Sequence, residues 1–309
     1  MNSTPPHRAI ALMGATGTGK SALAIEVARI THSAIISCDS MQLYRGLDIG
    51  TAKASKSEQA TVPHYLIDCA EIHDIWSAQR WADAALAIIK TENRAGRTPI
   101  ITGGTGMYLR ALVEGFADIP AEKSGVRETL NQQQREHGTP YLHNMLMQCD
   151  APLATRLPKN DTQRIIRGLC VWQSTDKALS AWQAEQAAKH EIIDCPTFVL
   201  DIARPLLRQR LADRIHLMMQ QGWLNEVRWL DQQKVPELHP ALRAVGYRQL
   251  LNHLHGNCTL EDAVRDAITA THKYAKRQVT WFRNQTPNAV IGDATTLNAA
   301  MLEILNRWT

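Results

Sequence analysis

Apolar positions along this chain fall into short unbroken runs separated by stretches of helical spacing. Ala9 to Met13 is one continuous apolar run that stops at a glycine-rich segment, the pattern of a buried strand. From Ser21 to Ile30, Leu23, Val27 and Ile30 recur at helical intervals and predict one buried face. Ala34 to Ile36 reads as a second strand, ending at Ser37-Cys38-Asp39-Ser40. Ser77 is placed to cap a helix running to about Arg94, with Gly96 just past its end. Pro99 to Thr102 predicts a third strand, closed by Gly103-Gly104. Strands alternating with helices build βαβ units, so this stretch predicts the N-terminal half of a doubly wound α/β fold.

The pattern changes after Pro120. From Ala121 to about Pro196 the chain is rich in Gln, Arg and Ala, with helical spacing and no convincing strand. Strand character returns at Thr197 to Ile202. Leu206 to Gln221 is then helical with Gly222 as its stop, and Thr259-Leu-Glu-Asp262 opens a long helix through about Trp281. A helical insertion between two parts of one core sheet accounts for this order. The boundaries expected are 1–119 for the first part of the core, 120–196 for the insertion and 197–309 for the second part with its C-terminal helices.

The 309 residues are 44% apolar and 21% charged, which excludes a disordered or fibrous chain. The six cysteines are scattered without C-x-x-C or zinc-finger spacing, so reduced thiols are expected. No apolar run approaches the ~18 residues that span a bilayer, and Ala9 to Met13 is too short for a signal-peptide core. A soluble, cytoplasmic protein without membrane contact is the expectation.

Gly14-Ala15-Thr16-Gly17-Thr18-Gly19-Lys20-Ser21 fits G-x-x-x-x-G-K-[ST] at every fixed position, with a strand before it and a helix after it. Backbone N–H groups and the helix N-terminus converge on an anionic oxygen, Lys20 adds a mobile charge, and the Ser21 hydroxyl can ligate Mg²⁺. The fold expected is therefore α/β, a P-loop core with a mostly parallel sheet plus an inserted all-helical domain. The loop alone does not choose between a kinase, a GTPase and an enzyme that expels diphosphate from carbon. Asp39 follows a strand at the edge where such sheets build their sites. It reads as a metal ligand, a general base or a turn residue. Gly103-Gly104-Thr105-Gly106 holds the corresponding place after the third strand, as a ligand-approaching turn with a hydroxyl or as an ordinary turn.

Charge is unevenly placed. Lys and Arg total 34 against 30 Asp and Glu, a net +4. Residues 241–285 hold seven cations and three anions, an excess equal to that of the whole chain, with Tyr247, Tyr274, Trp281 and Phe282 interleaved. Such a stretch can track a phosphate backbone and stack bases, or form a solvated helix face over core aromatics. Gln163-Arg164-Ile165-Ile166-Arg167 has the same two readings.

Taken together, GATGTGKS (14–21), SCDSMQLYRGLDIGTAK (37–53), VPHYLID (62–68), GGTGMYLRAL (103–112), NDTQRIIRGL (160–169), RAVGYRQL (243–250) and AKRQVTWFR (275–283) resemble the bacterial tRNA dimethylallyltransferases, also called tRNA isopentenyltransferases. The likeness spans roughly 9–283. Ala15, Cys38 and Thr162 depart from the residues usual there, and none of these changes removes a functional group.

The resemblance implies an enzyme that transfers a dimethylallyl group from dimethylallyl diphosphate to N6 of adenosine-37, in tRNAs reading codons that start with U, releasing diphosphate. It implies Mg²⁺, the tRNA anticodon stem-loop as partner, and a channel entered by nucleotide from one side and allylic diphosphate from the other. A monomer is expected. By the same resemblance Gly14, Ala15, Thr16, Gly17, Thr18, Gly19, Lys20 and Ser21 bind the substrate diphosphate, with Ser21 on the metal. Asp39 is the base, Thr105 its neighbouring hydroxyl, and Lys20 and Arg214 attend the leaving group; Arg210 lies one turn from Arg214. The tRNA contacts implied are Asp39, Ser40, Met41, Gln42, Thr105, Arg127, Gln163, Arg164, Ile165, Ile166, Arg167, Arg243, Ala244, Val245, Gly246, Tyr247 and Arg248. The competing readings are a P-loop kinase or NTPase acting on a small metabolite, and a non-catalytic RNA-binding protein with a vestigial loop.

Overall fold

The computed structural model describes residues 7–117, 119–189 and 191–308. In chain order the first elements are β1 (His7–Arg8), β2 (Ile10–Gly14), α1 (Lys20–Thr31), β3 (Ile35–Cys38), α2 (Lys56–Thr61), β4 (His64–Tyr65), α3 (Ala78–Arg94), β5 (Ile100–Gly103) and α4 (Gly106–Glu114). Five helices follow: α5 (Val126–His137), α6 (Thr139–Cys149), α7 (Ala151–Arg156), α8 (Thr162–Thr175) and α9 (Leu179–Lys189). The remainder is β6 (Ile193–Asp194), β7 (Thr197–Leu200), α10 (Arg204–Gln220), α11 (Trp223–Gln232), α12 (Pro240–Arg243), α13 (Tyr247–Leu254), α14 (Leu260–Gln285), β8 (Val290–Gly292) and α15 (Ala294–Trp308).

The chain divides into two compact units, one of residues 1–113 with 192–309 and one of residues 114–191. The edges fall at 114 and 191 against the expected 120 and 196, and at the second edge β6 already pairs with β1 inside the first unit. Six strands of that unit form a parallel sheet in the order β4-β3-β5-β2-β7-β8. Two of them, β4 and β8, escaped the sequence pattern: the first is two residues long and the second is an exposed edge, so neither carries a hydrophobic period. Ile10, Leu12, Ile35, Ile100 and Phe198 from the sheet pack with Leu23 and Val27 of α1 and with Leu297, Met301 and Leu305 of α15. Ile30, expected on the same face, stands 58% exposed in the last turn of α1, beyond the part of the helix that is covered. Among the described residues no helix is long and apolar enough to cross a membrane, and all six cysteines are free.

Strand register positions the chemistry. Met13 lies opposite Gly103, and Gly103 opposite Cys38, so β2, β5 and β3 end side by side. The residues that follow, Gly14, Gly104 and Asp39, are brought to one edge of the sheet. Three segments far apart in sequence meet there because parallel strands share their C-terminal end.

The second unit is helical. Leu130, Leu142, Leu146, Leu153, Ile165, Ile166 and Leu169 form its core. Asp150, itself buried, caps α7 by accepting from the Leu153 N–H and also accepts from the Ser180 N–H, which ties α9 to α7.

Candidate active site

The glycine loop runs between β2 and α1. Gly17 and Gly19 adopt φ of 84° and 97°, a left-handed backbone that side chains disfavour. Gly19 occupies the cap position of α1 without supplying a side chain, so the first N–H groups of that helix are left to a ligand. The loop is moored from inside: the Thr18 hydroxyl donates to the Ala15 carbonyl (2.9 Å), and the Thr16 N–H donates to Gln278 Oε1 (2.9 Å). Gln278 is buried and passes its amide hydrogen to the Gly104 carbonyl (2.9 Å). One side chain of α14 thus bolts the loop to the turn after β5. A Cβ on Gly104 would lie 2.3 Å from Gln278 Nε2, which explains the glycine.

Two cavities meet at this edge. A cleft of about 450 Å³ is lined by Ser40, Met41, Arg243, Ala244, Val245 and Tyr274 among others, and a smaller one of about 60 Å³ by Ser21, Ser37, Gln42, His64 and Thr102. Thr16, Lys20, Asp39, Thr51 and Arg214 line both. A carboxylate, an ammonium and a guanidinium therefore share one constriction. Asp39 Oδ1 accepts from the Met41 N–H (2.9 Å), which fixes the carboxyl in a turn. Arg214 Nη2 donates to Thr16 Oγ1 (2.6 Å) and so reaches the loop from α10. Arg210, one turn away, is exposed and lines neither cavity.

Burial governs the charges. Desolvation pushes the Lys20 ammonium down to about 8, with Asp39 opposing the shift and Arg214 adding to it. Desolvation also lowers the Arg214 guanidinium from its ordinary value, and Asp39 again opposes. Both cations are held ready for a larger negative charge than one carboxylate provides. Burial raises the Tyr274 phenol, which remains a hydroxyl at neutral pH.

Several residues expected to touch ligand are engaged elsewhere. The Thr105 hydroxyl accepts from the Ser40 N–H (3.1 Å) and lines neither cavity, so it positions the segment after Asp39. Gln42 donates to the carbonyls of Thr51 (3.1 Å) and Ala52 (3.3 Å) and accepts from Ser37 (3.0 Å), bracing the chain around the cleft. Ile165 and Ile166 are not surface contacts: they are 0% and 3% exposed in the helical core, because the period of α8 turns them inward. Gln163 and Arg164 face solvent. Arg127 and Arg167 both grip Glu122, which holds that carboxyl below the usual range. Gly246 and Tyr247 are buried as well, leaving Arg243 and Arg248 exposed on either side.

Glu226 is a residue that sequence reasoning missed. From α11 its carboxylate accepts from the N–H groups of Asp48 (2.7 Å), Ile49 (2.7 Å) and Gly50 (3.0 Å) and from the Tyr247 hydroxyl (2.5 Å). Trp223 packs edge-on against Tyr247 with ring centroids 5.6 Å apart. Gly50, Thr51, Trp223 and Tyr247 all line the cleft, so one carboxylate joins two of its walls. A glutamate three residues from a tryptophan on either side had no motif to mark it.

Known proteins resemble this chain in sequence and in fold. The family model for IPP transferase matches residues 42–285. The tRNA dimethylallyltransferase of Syntrophobacter fumaroxidans is 41% identical over 279 residues, covering 89% of this chain and 80% of that protein. That of a Caulobacter species is 39% identical and covers 92% of each. Among solved structures, the tRNA isopentenylpyrophosphate transferase of Bacillus halodurans superposes with a TM-score of 0.72 at 28% identity, covering 98% of both chains. A eukaryotic dimethylallyltransferase acting on tRNA superposes with a TM-score of 0.77 at 28% identity, covering 96% of this chain and 77% of that one. With most of its length matched in sequence and in fold, the chain belongs to the IPP transferase family, that of the tRNA dimethylallyltransferases.

Proposed function

We propose that this protein transfers the dimethylallyl group of dimethylallyl diphosphate to N6 of adenosine-37 in tRNAs reading codons that start with U, and releases diphosphate. The observation that carries the reading is the constriction where Asp39, Lys20 and Arg214 line both cavities beside the glycine loop. Breaking an allylic C–O bond leaves positive charge spread over the allyl group and negative charge on the departing diphosphate. The P-loop N–H groups, Lys20 and Arg214 stabilise that growing charge where little water competes. The N6 amine is a weak nucleophile because its lone pair is conjugated with the ring. Asp39 accepts its proton as the new C–N bond forms, a contribution of about 10²–10⁴-fold.

The residues fit Mg²⁺. Among the described residues no three His, Cys, Asp or Glu side chains form a cage. Mg²⁺ needs none: it retains waters and takes one or two protein oxygens plus phosphate oxygens. Ser21 offers such an oxygen in the smaller cavity, which leaves Asp39 free as the base. The ion, when bound, adds positive charge to the leaving diphosphate.

The adenine must leave the anticodon-loop stack to be reached. The larger cleft is the side that suits it, with Tyr274 as a stacking face and Arg243 at the rim. Gln163, Arg164 and Arg127 of the helical unit supply further RNA contacts in this reading.

The test is incorporation of label from dimethylallyl diphosphate into tRNA carrying A36-A37-A38, with Mg²⁺. An RNA that stays unlabelled sinks the reading. Asp39→Ala is expected to lose about 10²–10⁴-fold in turnover while keeping its tRNA affinity; a parallel fall of both removes the general-base role.

A further inference from the structure

A separate cavity of about 930 Å³, larger than the catalytic cleft, opens between α10 and α14 beyond the C-terminal ends of β7 and β8. It shares no lining residue with either cavity at the constriction of Asp39, Lys20 and Arg214, so a molecule held here lies outside the reaction. Its apolar lining is graded. Leu207, Leu211 and Ala275 form a buried floor against Ala15. Ile202 and Val279 are half-buried against that floor, and Ile291 of β8 stands 45% exposed. The floor is preformed because it also supports the glycine loop: a Cβ on Gly17 would lie 2.6 Å from Leu211 Cδ2. A preformed pocket saves the ordering cost that binding otherwise carries.

The polar lining has one sign. Arg204 and Arg208 of α10 and Lys273 and Lys276 of α14 are exposed, and among the described residues none of these four side chains forms an ion pair. The two carboxylates present are engaged, Asp201 with Arg283 (2.8 Å) and Asp293 with the Thr296 N–H (2.9 Å). His272 is engaged as well, its Nε2 lying 3.0 Å from the Arg208 carbonyl oxygen. Four cations around one concavity repel one another, and a bound anion removes that repulsion. A phosphate monoester suits them better than a carboxylate, since it carries more charge and three strong acceptor oxygens.

We propose that this cavity binds an amphipathic phosphate, a single hydrocarbon chain ending in a phosphate or diphosphate, at a site separate from the one that performs the reaction. The head meets the Arg and Lys side chains, and the chain covers Ile202, Val279 and Ile291. The apolar wall decides for this class of ligand. A nucleic-acid backbone uses the cations alone and gives that wall nothing, and the surface of a bilayer does not reach a buried floor. Small-molecule sites have this make-up, apolar walls with a few convergent polar groups in a volume of about 300–1,000 Å³. The site does not depend on RNA being the substrate.

Titration calorimetry of the full chain with butyl, hexyl and octyl phosphate tests the site. A buried methylene is worth about fourfold in affinity, so octyl phosphate should bind about fifteenfold tighter than butyl phosphate with half of the four added methylenes covered. Arg208→Ala/Lys276→Ala should weaken all three phosphates by about tenfold. Ile291→Ser, at an exposed position, should leave butyl phosphate unchanged and weaken octyl phosphate. Lys20→Met, which takes the cation from the glycine loop, should leave all three unchanged. An affinity independent of chain length overturns the proposal and leaves an anion surface of the kind a nucleic acid uses. A fall of octyl phosphate affinity in Lys20→Met also overturns it, by placing the ligand in the catalytic site. So does wild-type affinity in both cavity variants. Adherence to phosphatidic acid vesicles that Arg208→Ala/Lys276→Ala abolishes, with no binding of the soluble phosphates, overturns it in favour of a membrane surface.

Discussion

Replacing Glu226 by Gln is the sharpest test of how the cleft is held. Four donors converge on two carboxylate oxygens: Asp48 and Ile49 N–H on one, Gly50 N–H and the Tyr247 hydroxyl on the other. An amide has one oxygen and two N–H donors, so either orientation turns a donor toward donors and loses two of the four bonds. Bonds to a charged acceptor contribute about 1.5–3 kcal/mol each, which sets a ceiling of about 3–6 kcal/mol. Asp48 is exposed and its N–H can turn to water, which brings the expected loss to about 2–4 kcal/mol. Urea unfolding reads this directly. Because residues 48–51 and 246–248 flank the cleft, the variant should also raise KM for tRNA while leaving the affinity for dimethylallyl diphosphate unchanged. Tyr247→Phe removes one of the four bonds and should add less in the Glu226→Gln background than alone. A Glu226→Gln protein within about 0.5 kcal/mol of wild type, or one whose diphosphate affinity falls together with its RNA affinity, would refute the reasoning.

Two further outcomes follow from the same geometry. Lys20 titrates near 8 when folded and at 10.5 ordinarily, so between those values the unfolded chain binds more protons and stability rises with pH. Lys20→Met should flatten that rise and make the ligand-free protein more stable at pH 7, yet abolish binding of inorganic diphosphate. Calorimetric melting of both proteins at pH 7 and above decides it, and a variant no more stable than wild type counts against the desolvated ammonium. Gln278→Leu strips partners from the Thr16 N–H and the buried Gly104 carbonyl, at about 1–3 kcal/mol each. It should weaken inorganic diphosphate binding in titration calorimetry, and an unchanged affinity would show that the loop does not depend on this bolt.

Much of this protein was legible in its residues, for reasons that are local. A phosphate-binding turn needs glycines, lysine and a hydroxyl at fixed spacing, and Gly14 to Ser21 carries that spacing. Short apolar-rich runs marked β2, β3, β5 and β7, since strands buried on both faces show no regular polar alternation. The excess of cations between 241 and 285 was equally visible. The motif strings that suggested tRNA contacts were less discriminating, because a string does not separate the residue that faces RNA from the one that holds it. Ile165 and Ile166 sit in a core, Tyr247 is tied to Glu226, and Gln42 braces its own loop.

What the tertiary structure decided are the pairings across long separations. Arg214 reaches Thr16 across 198 residues, Gln278 reaches it across 262, and Glu226 reaches Asp48 across 178. Nothing in the sequence near either partner encodes such contacts. They exist because the parallel sheet gathers its strand ends at one edge and α10, α11 and α14 pack beside them. Local spacing determined which candidate chemistry this chain carries; the packing of distant helices on one sheet edge decided which side chains share the cleft.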